Sequence, residues 1–103
     1  MQSLKGHHRV TLDHLEPARP DQPVHPDPLI FETVNHDDLF NVVEKVRTTI
    51  ALDKDEAASL AVGLKLLSEV VLRHRTDPFY VDLFNTLSTF IDQIKTAQQN
   101  KDV

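Results

Sequence analysis

The chain has 103 residues, 40% of them apolar and 26% charged, with a net charge of −5 at neutral pH. That length carries one modest domain, and the acidic balance excludes general binding to phosphate backbones or anionic membranes, which need a basic surface. The absence of cysteine excludes disulfides and thiol catalysis, and no apolar run approaches the ~20 residues that cross a bilayer.

Residues 1–6 read as a flexible polar lead without the hydrophobic core of a secretory signal. From His7 to Leu15 the chain alternates, with Val10 and Leu12 pointing one way and Arg9, Thr11 and Asp13 the other, the period-two pattern of a half-buried strand. His8 and His14 extend the Val10 and Leu12 face at its two ends. Five of the six prolines then fall within residues 16–28: Pro17, Pro20, Pro23, Pro26 and Pro28. Proline lacks a backbone donor and fixes one dihedral, so this stretch reads as an extended loop of polyproline character. Such a segment can dock into a partner's aromatic groove, although the plainer reading is a stiff connector. Leu29 to Val34 is rich in β-formers and reads as a second strand, antiparallel to the first. Leu29 and Phe31 share a face with Thr33, and Ile30 and Val34 share the other with Glu32, so the pattern leaves the buried face open.

Three helical patterns follow. Asn35 is predicted to cap the first, with His36, Asp37 and Asp38 in its opening turn. Leu39, Val42, Val43, Val46 and Ile50 make a narrow apolar stripe, the mark of a one-sided helix. Asp53 with Glu56 resembles a capping box opening a long second helix, which ends on the cations Arg73, His74 and Arg75. Its main stripe is Ala57, Leu60, Leu64, Leu67 and Val71, widened by Gly63, Leu66 and Val70. A face this wide predicts a central helix touched from two sides. Gly63 costs about 1 kcal/mol of helix propensity relative to alanine, so its place in the apolar face predicts a close approach of another backbone. Lys54, Lys65, Glu69 and Arg73 form the expected solvated side. Asp77 followed by Pro78 opens a third helix, whose broad face holds Tyr80, Leu83, Phe84, Leu87, Phe90, Ile91 and Ile94. It is expected to fray after Lys95 into a flexible tail, residues 96–103. The order is that of an α+β protein: one domain over residues 7–95, with an N-terminal antiparallel β-hairpin joined by the Pro-rich loop 16–28 and followed by three α-helices. A two-stranded sheet is marginal alone in water.

Chemical candidates are few. The six histidines include no pair at metal-binding helical spacing. A metal site would have to be assembled by the fold, from His7, His36 and Asp38, and the plainer reading is separate surface histidines. Asp53 to Glu56 superficially resembles a calcium loop but has Ala58 and Leu64 where the glycine and the glutamate belong. Arg73 and Arg75 are the candidate anion contacts, because a planar guanidinium suits phosphate or carboxylate. Against this, successive helical residues diverge by ~100°, and cations at a helix end are stabilised by its dipole alone. Asp37 and Asp38 read as capping groups. Ser59, Ser68 and Ser88 lack a nucleophile elbow, and two glycines cannot build a phosphate loop. The aromatics Phe79, Tyr80, Phe84 and Phe90 read as core, not as a stacking platform.

Lys5-Gly6-His7 before a strand, Asn35-His36-Asp37-Asp38 before a helix, and the run Ala61 to Val70 leading to His74-Arg75 and Asp77-Pro78 together resemble a family of small bacterial proteins known as a domain of unknown function. The resemblance spans Lys5 to about Ile94 and implies a bacterial, cytoplasmic α+β protein; it implies no activity, substrate or catalytic residue. The leading expectation is a small non-enzymatic protein-interaction domain that self-associates as a homo-oligomer, without metal or cofactor and with neither nucleic acid nor membrane as partner. The alternative is a small-ligand or anion-binding regulatory protein or enzyme with a pocket between sheet and helices, served by Arg9, His36, Arg73 and Arg75.

Overall fold

A computed structural model describes residues 6–101, with side chains through Gln99; residues 1–5 of the lead and the last two of the tail lie outside the described residues. Strands β1 (Gly6–Leu12) and β2 (Leu29–Asn35) form an antiparallel hairpin, and α1 (Leu39–Thr49), α2 (Lys54–Arg73) and α3 (Pro78–Lys101) follow. This is the α+β arrangement that the sequence predicts.

The hairpin register pairs Gly6 with Asn35 and Leu12 with Leu29. β1 stops at Leu12, where the sequence pattern ran on to Leu15. The next residue, Asp13, would have to pair with Pro28, which has no N–H to give a ladder. His14 instead closes the neck of the proline loop: its Nδ1 accepts the His25 backbone N–H at 2.8 Å.

The start of α1 differs from expectation. Asn35 is the last residue of β2, and Asp38 is the cap, its carboxylate accepting the Phe40 N–H at 3.0 Å. Asn35 is more useful elsewhere. Only 1% exposed, it donates to the Lys65 carbonyl at 3.1 Å and accepts the Asp37 N–H at 3.2 Å. One side chain thus fastens the strand end to α2 and shapes the turn into α1. The α2 start is as predicted, with the Asp53 carboxylate accepting the Glu56 N–H at 2.8 Å. That bond holds the Asp53 carboxyl below its ordinary pKa. Asp77 likewise accepts the Phe79 N–H at 2.9 Å as α3 begins. α3 continues to Lys101 instead of fraying after Lys95. Residues 96–99 contain neither glycine nor proline, and Thr96 Oγ1 bonds back to the Asp92 carbonyl at 3.0 Å.

The core is small. Val46, Ala57 and Ala61 are buried, with Val42, Val43, Ile50 and Leu60 packed against them where α1 meets α2. The middle helix is touched by α1 on one side and by α3 and the end of β2 on others, as its pattern implied, but it is not fully covered. Leu64 is half-buried, while Leu67 and Val70 are 44% and 45% exposed. A Cβ built on Gly63 would meet nothing within 4 Å, so among the described residues no other backbone makes the close approach expected there. Nor do the α3 aromatics form a core: Phe79 is 82% exposed and Phe90 is also exposed, and no described α3 side chain is buried.

The proline loop is exposed throughout residues 18–28 and adds to these openings. The accessible surface is 8217 Å² for an 11.7 kDa chain, against about 5,900 Å² for a compact monomer of that mass. The radius of gyration is 16.3 Å, where about 13 Å is usual for this length.

Candidate functional site

The polar groups that do converge lie where the β2–α1 turn crosses α2. Lys65, Glu69 and Arg73 follow one another at intervals of four along one side of α2, so their side chains rise in a row beside the turn. The sequence reading placed all three in solvent. Glu69 is instead only 7% exposed, because β2 and its turn cover that side of the helix.

His36 Nδ1 lies 3.1 Å from Glu69 Oε1, and Arg73 reaches the same oxygen at 3.7 Å from the next turn. Arg73 also donates to the Val34 carbonyl at 3.1 Å, tying the end of β2 to α2 a second time. Lys65 Nζ is ion-paired with Asp37 Oδ2. The Lys65 hydrogen bond holds the Asp37 carboxyl below its ordinary value, against the opposing effect of partial burial. The row therefore alternates cation, anion, cation, each answered by a group on the turn or strand.

Beside this row is a cavity of about 240 Å³ between α2 and α3. His36, Lys65, Ser68 and Glu69 line its polar side, and Phe84, Leu87 and Ile91 its apolar side. The Ser68 Oγ is buried without a hydrogen-bond partner. A buried hydroxyl usually has one, so among the described residues Ser68 is the cavity-lining side chain with an unmet hydrogen bond.

Of the four polar residues expected to serve a pocket, His36 and Arg73 meet at Glu69, and only His36 lines the cavity. Arg9 faces Glu32 across the hairpin and is exposed. Arg75 donates to the Leu72 carbonyl at 2.9 Å, closing the end of α2. The candidate anion contacts Arg73 and Arg75 thus have separate backbone partners. His7, His36 and Asp38 also separate: His7 pairs with Glu32 at 2.9 Å, His36 with Glu69, and Asp38 caps α1. Among the described residues no three histidine, cysteine or acidic side chains form a metal-holding group.

Sequence reasoning missed Asn35 and Glu69 as organising residues. The available signal was weak: Glu69 sits between two cations at helical spacing, which reads equally well as a solvated salt-bridge ladder.

A larger concavity, about 590 Å³, lies at the hairpin neck between Leu12, His14, His25 and Leu29. His14 Nδ1 is occupied there by the His25 amide.

No curated protein matches this chain. Among solved structures, the chain is similar to the crystal structure, at 2.20 Å resolution, of a protein of unknown function (eca1910) from Pectobacterium atrosepticum SCRI1043. The match covers 90% of this chain and 99% of that one, with 26% identity and a TM-score of 0.74. No helix among the described residues is long and apolar enough to cross a membrane. The recurrence of this hairpin and three-helix arrangement accords with the match of residues 6–96 to the profile of DUF3861, a domain of unknown function with a solved structure, and the chain belongs to that family.

Proposed function

We propose that this protein is a non-enzymatic interaction domain of the bacterial cytoplasm that self-associates. The observation that carries the reading is the surface excess. The chain exposes 8217 Å², about 2,300 Å² more than a compact monomer of its mass. A standard interface takes only about 800 Å² from each partner, and obligate dimers take more. The exposed side chains are of the kind that interfaces bury, including Phe40, Leu67, Val70 and Phe79. The expected result is a mass of at least twice the 11.7 kDa chain in light scattering at micromolar concentration. A strictly single-chain mass removes self-association from the reading. The net charge of −5, and the pairing of Lys65 and Arg73 with carboxylates, argue against nucleic acid as the partner.

A second reading, a small-ligand or anion-binding regulatory protein, is favoured by one observation: the unpartnered Ser68 hydroxyl in the wall of the cavity beside His36 and Lys65. Inorganic phosphate titrated into isotope-labelled protein tests it. Shifts at Ser68, Lys65 and His36 support the cavity, and shifts at the Arg73 and Arg75 side chains support anion contact at the end of α2. Unchanged spectra at millimolar phosphate remove the anion-binding form of this reading.

A further inference from the structure

Resting on the self-association reading, we infer that a second copy of this chain seats on the outer face of α2, with the two α2 helices antiparallel and crossing at Gly63. The face is defined by Ser59, Gly63, Leu67 and Val70, all exposed, which recur at spacings of four and three about 120° round α2 from the row of Lys65, Glu69 and Arg73. Gly63 is the observation that needs explaining. It is not in a left-handed conformation, and beyond the backbone of its own helix and its two chain neighbours no atom of the described residues lies within 4 Å of where its Cβ would be. Neither backbone conformation nor packing among the described residues requires glycine. In mid-helix it costs about 1 kcal/mol relative to alanine. A helix from outside that crosses there would use the missing side chain, because glycine lets two helix backbones approach closely.

The orientation follows from charge and position. α2 carries Asp55 and Glu56 in its first turn and Arg73 in its last. An antiparallel copy sets each acidic start beside the cationic end of its mate and opposes the two helix dipoles. A parallel copy would place like charges together at both ends. Gly63 lies at the middle of α2, which spans Lys54 to Arg73. A two-fold axis there lets both copies use the full helix and gives a closed, self-complementary interface. The about 2,300 Å² of surplus surface per chain (8217 Å² in all) exceeds the about 800 Å² per partner that a standard interface takes.

The chain contains no cysteine, so engineered cysteines report contacts without background. Gly63→Cys lies on the proposed axis, where the two Cα atoms fall within the ~7 Å that a disulfide spans. Under mild oxidation it is expected to convert most of the protein to a covalent dimer, while Thr89→Cys, exposed on α3, does not. Gly63→Leu has open space within its own chain, so it is expected to keep its helical circular dichroism and to weaken dimerisation at least tenfold in sedimentation equilibrium. A wild-type dimer whose Gly63→Cys variant fails to cross-link, and whose Gly63→Leu variant dimerises normally, overturns the α2 seat and leaves self-association standing. A wild-type monomer overturns both.

Discussion

The Glu69 carboxylate and the His36 ring are 3.1 Å apart in opposite environments, the carboxylate almost enclosed and the ring more than half exposed. The pair joins the turn after β2 to α2, and Arg73 supports it from one helical turn away. Buried carboxylates depend on such partners. Glu69→Ala leaves His36 without its acceptor and is expected to cost about 1–2 kcal/mol in urea unfolding, at the lower end for hydrogen bonds to charged groups because both partners of the carboxylate, His36 and Arg73, are more than half exposed. Glu69→Gln keeps an acceptor for His36 and is expected to cost clearly less. Equal losses would show that the charge, which both variants remove, carries the whole contribution and that the retained acceptor and side-chain shape add nothing.

Asp37 gives a pH dependence with a definite sign. Its folded pKa is lowered, chiefly by the Lys65 hydrogen bond. A depressed carboxylate contributes stability that is fully present above the unfolded value, near 3.8, and that is lost as the pH falls through the lower folded value. Because the Asp37 side chain is half exposed, the contribution is discounted to about 0.5 kcal/mol. Asp37→Asn is therefore expected to be less stable than wild type at pH 6 and to converge with it once the pH falls below the lowered folded value of Asp37. A gap that persists unchanged at low pH would contradict this account.

The two glycines are predicted to respond in opposite directions. A Cβ on Gly6 would come within 2.7 Å of the Asp37 carbonyl and 2.6 Å of His8 Cε1. The His8 ring is held by the Leu39 N–H, which donates to its Nε2 at 3.4 Å. Gly6→Ala therefore pushes the turn away from β1 and is expected to cost about 1–3 kcal/mol, as overpacked sites do. Gly63→Ala meets no neighbour and is expected to stabilise the separated chain by about 0.5–1 kcal/mol through helix propensity. Thermal unfolding at dilutions where light scattering reports single chains would compare them directly.

Asn35 is the third fastening. Asn35→Ala leaves the Lys65 carbonyl and the Asp37 N–H without their partner. Unpaired buried groups cost about 1–3 kcal/mol each, so a loss of about 2 kcal/mol in chemical denaturation is expected. Amide exchange at Asp37 should accelerate as well. Unchanged exchange would mean that the turn is held by something other than Asn35.

What the sequence alone determined is local. Alternation at Val10 and Leu12, the prolines of residues 16–28, the aspartates Asp53 and Asp77 ahead of two helices, and apolar recurrence from Leu39 to Ile94 each express a short-range rule. These rules placed two strands and three helices in the order observed. The tertiary structure decided which side of α2 is covered. The hairpin end crosses α2 at Lys65, Glu69 and Arg73, so a carboxylate that spacing assigns to solvent is enclosed, and Asn35 serves the crossing instead of capping α1. Leu67, Val70 and Gly63 are left open about a third of a turn round the helix. Helical spacing fixes which residues share a face, but the contacts that cover a face join residues distant in sequence, and periodicity carries no information about them.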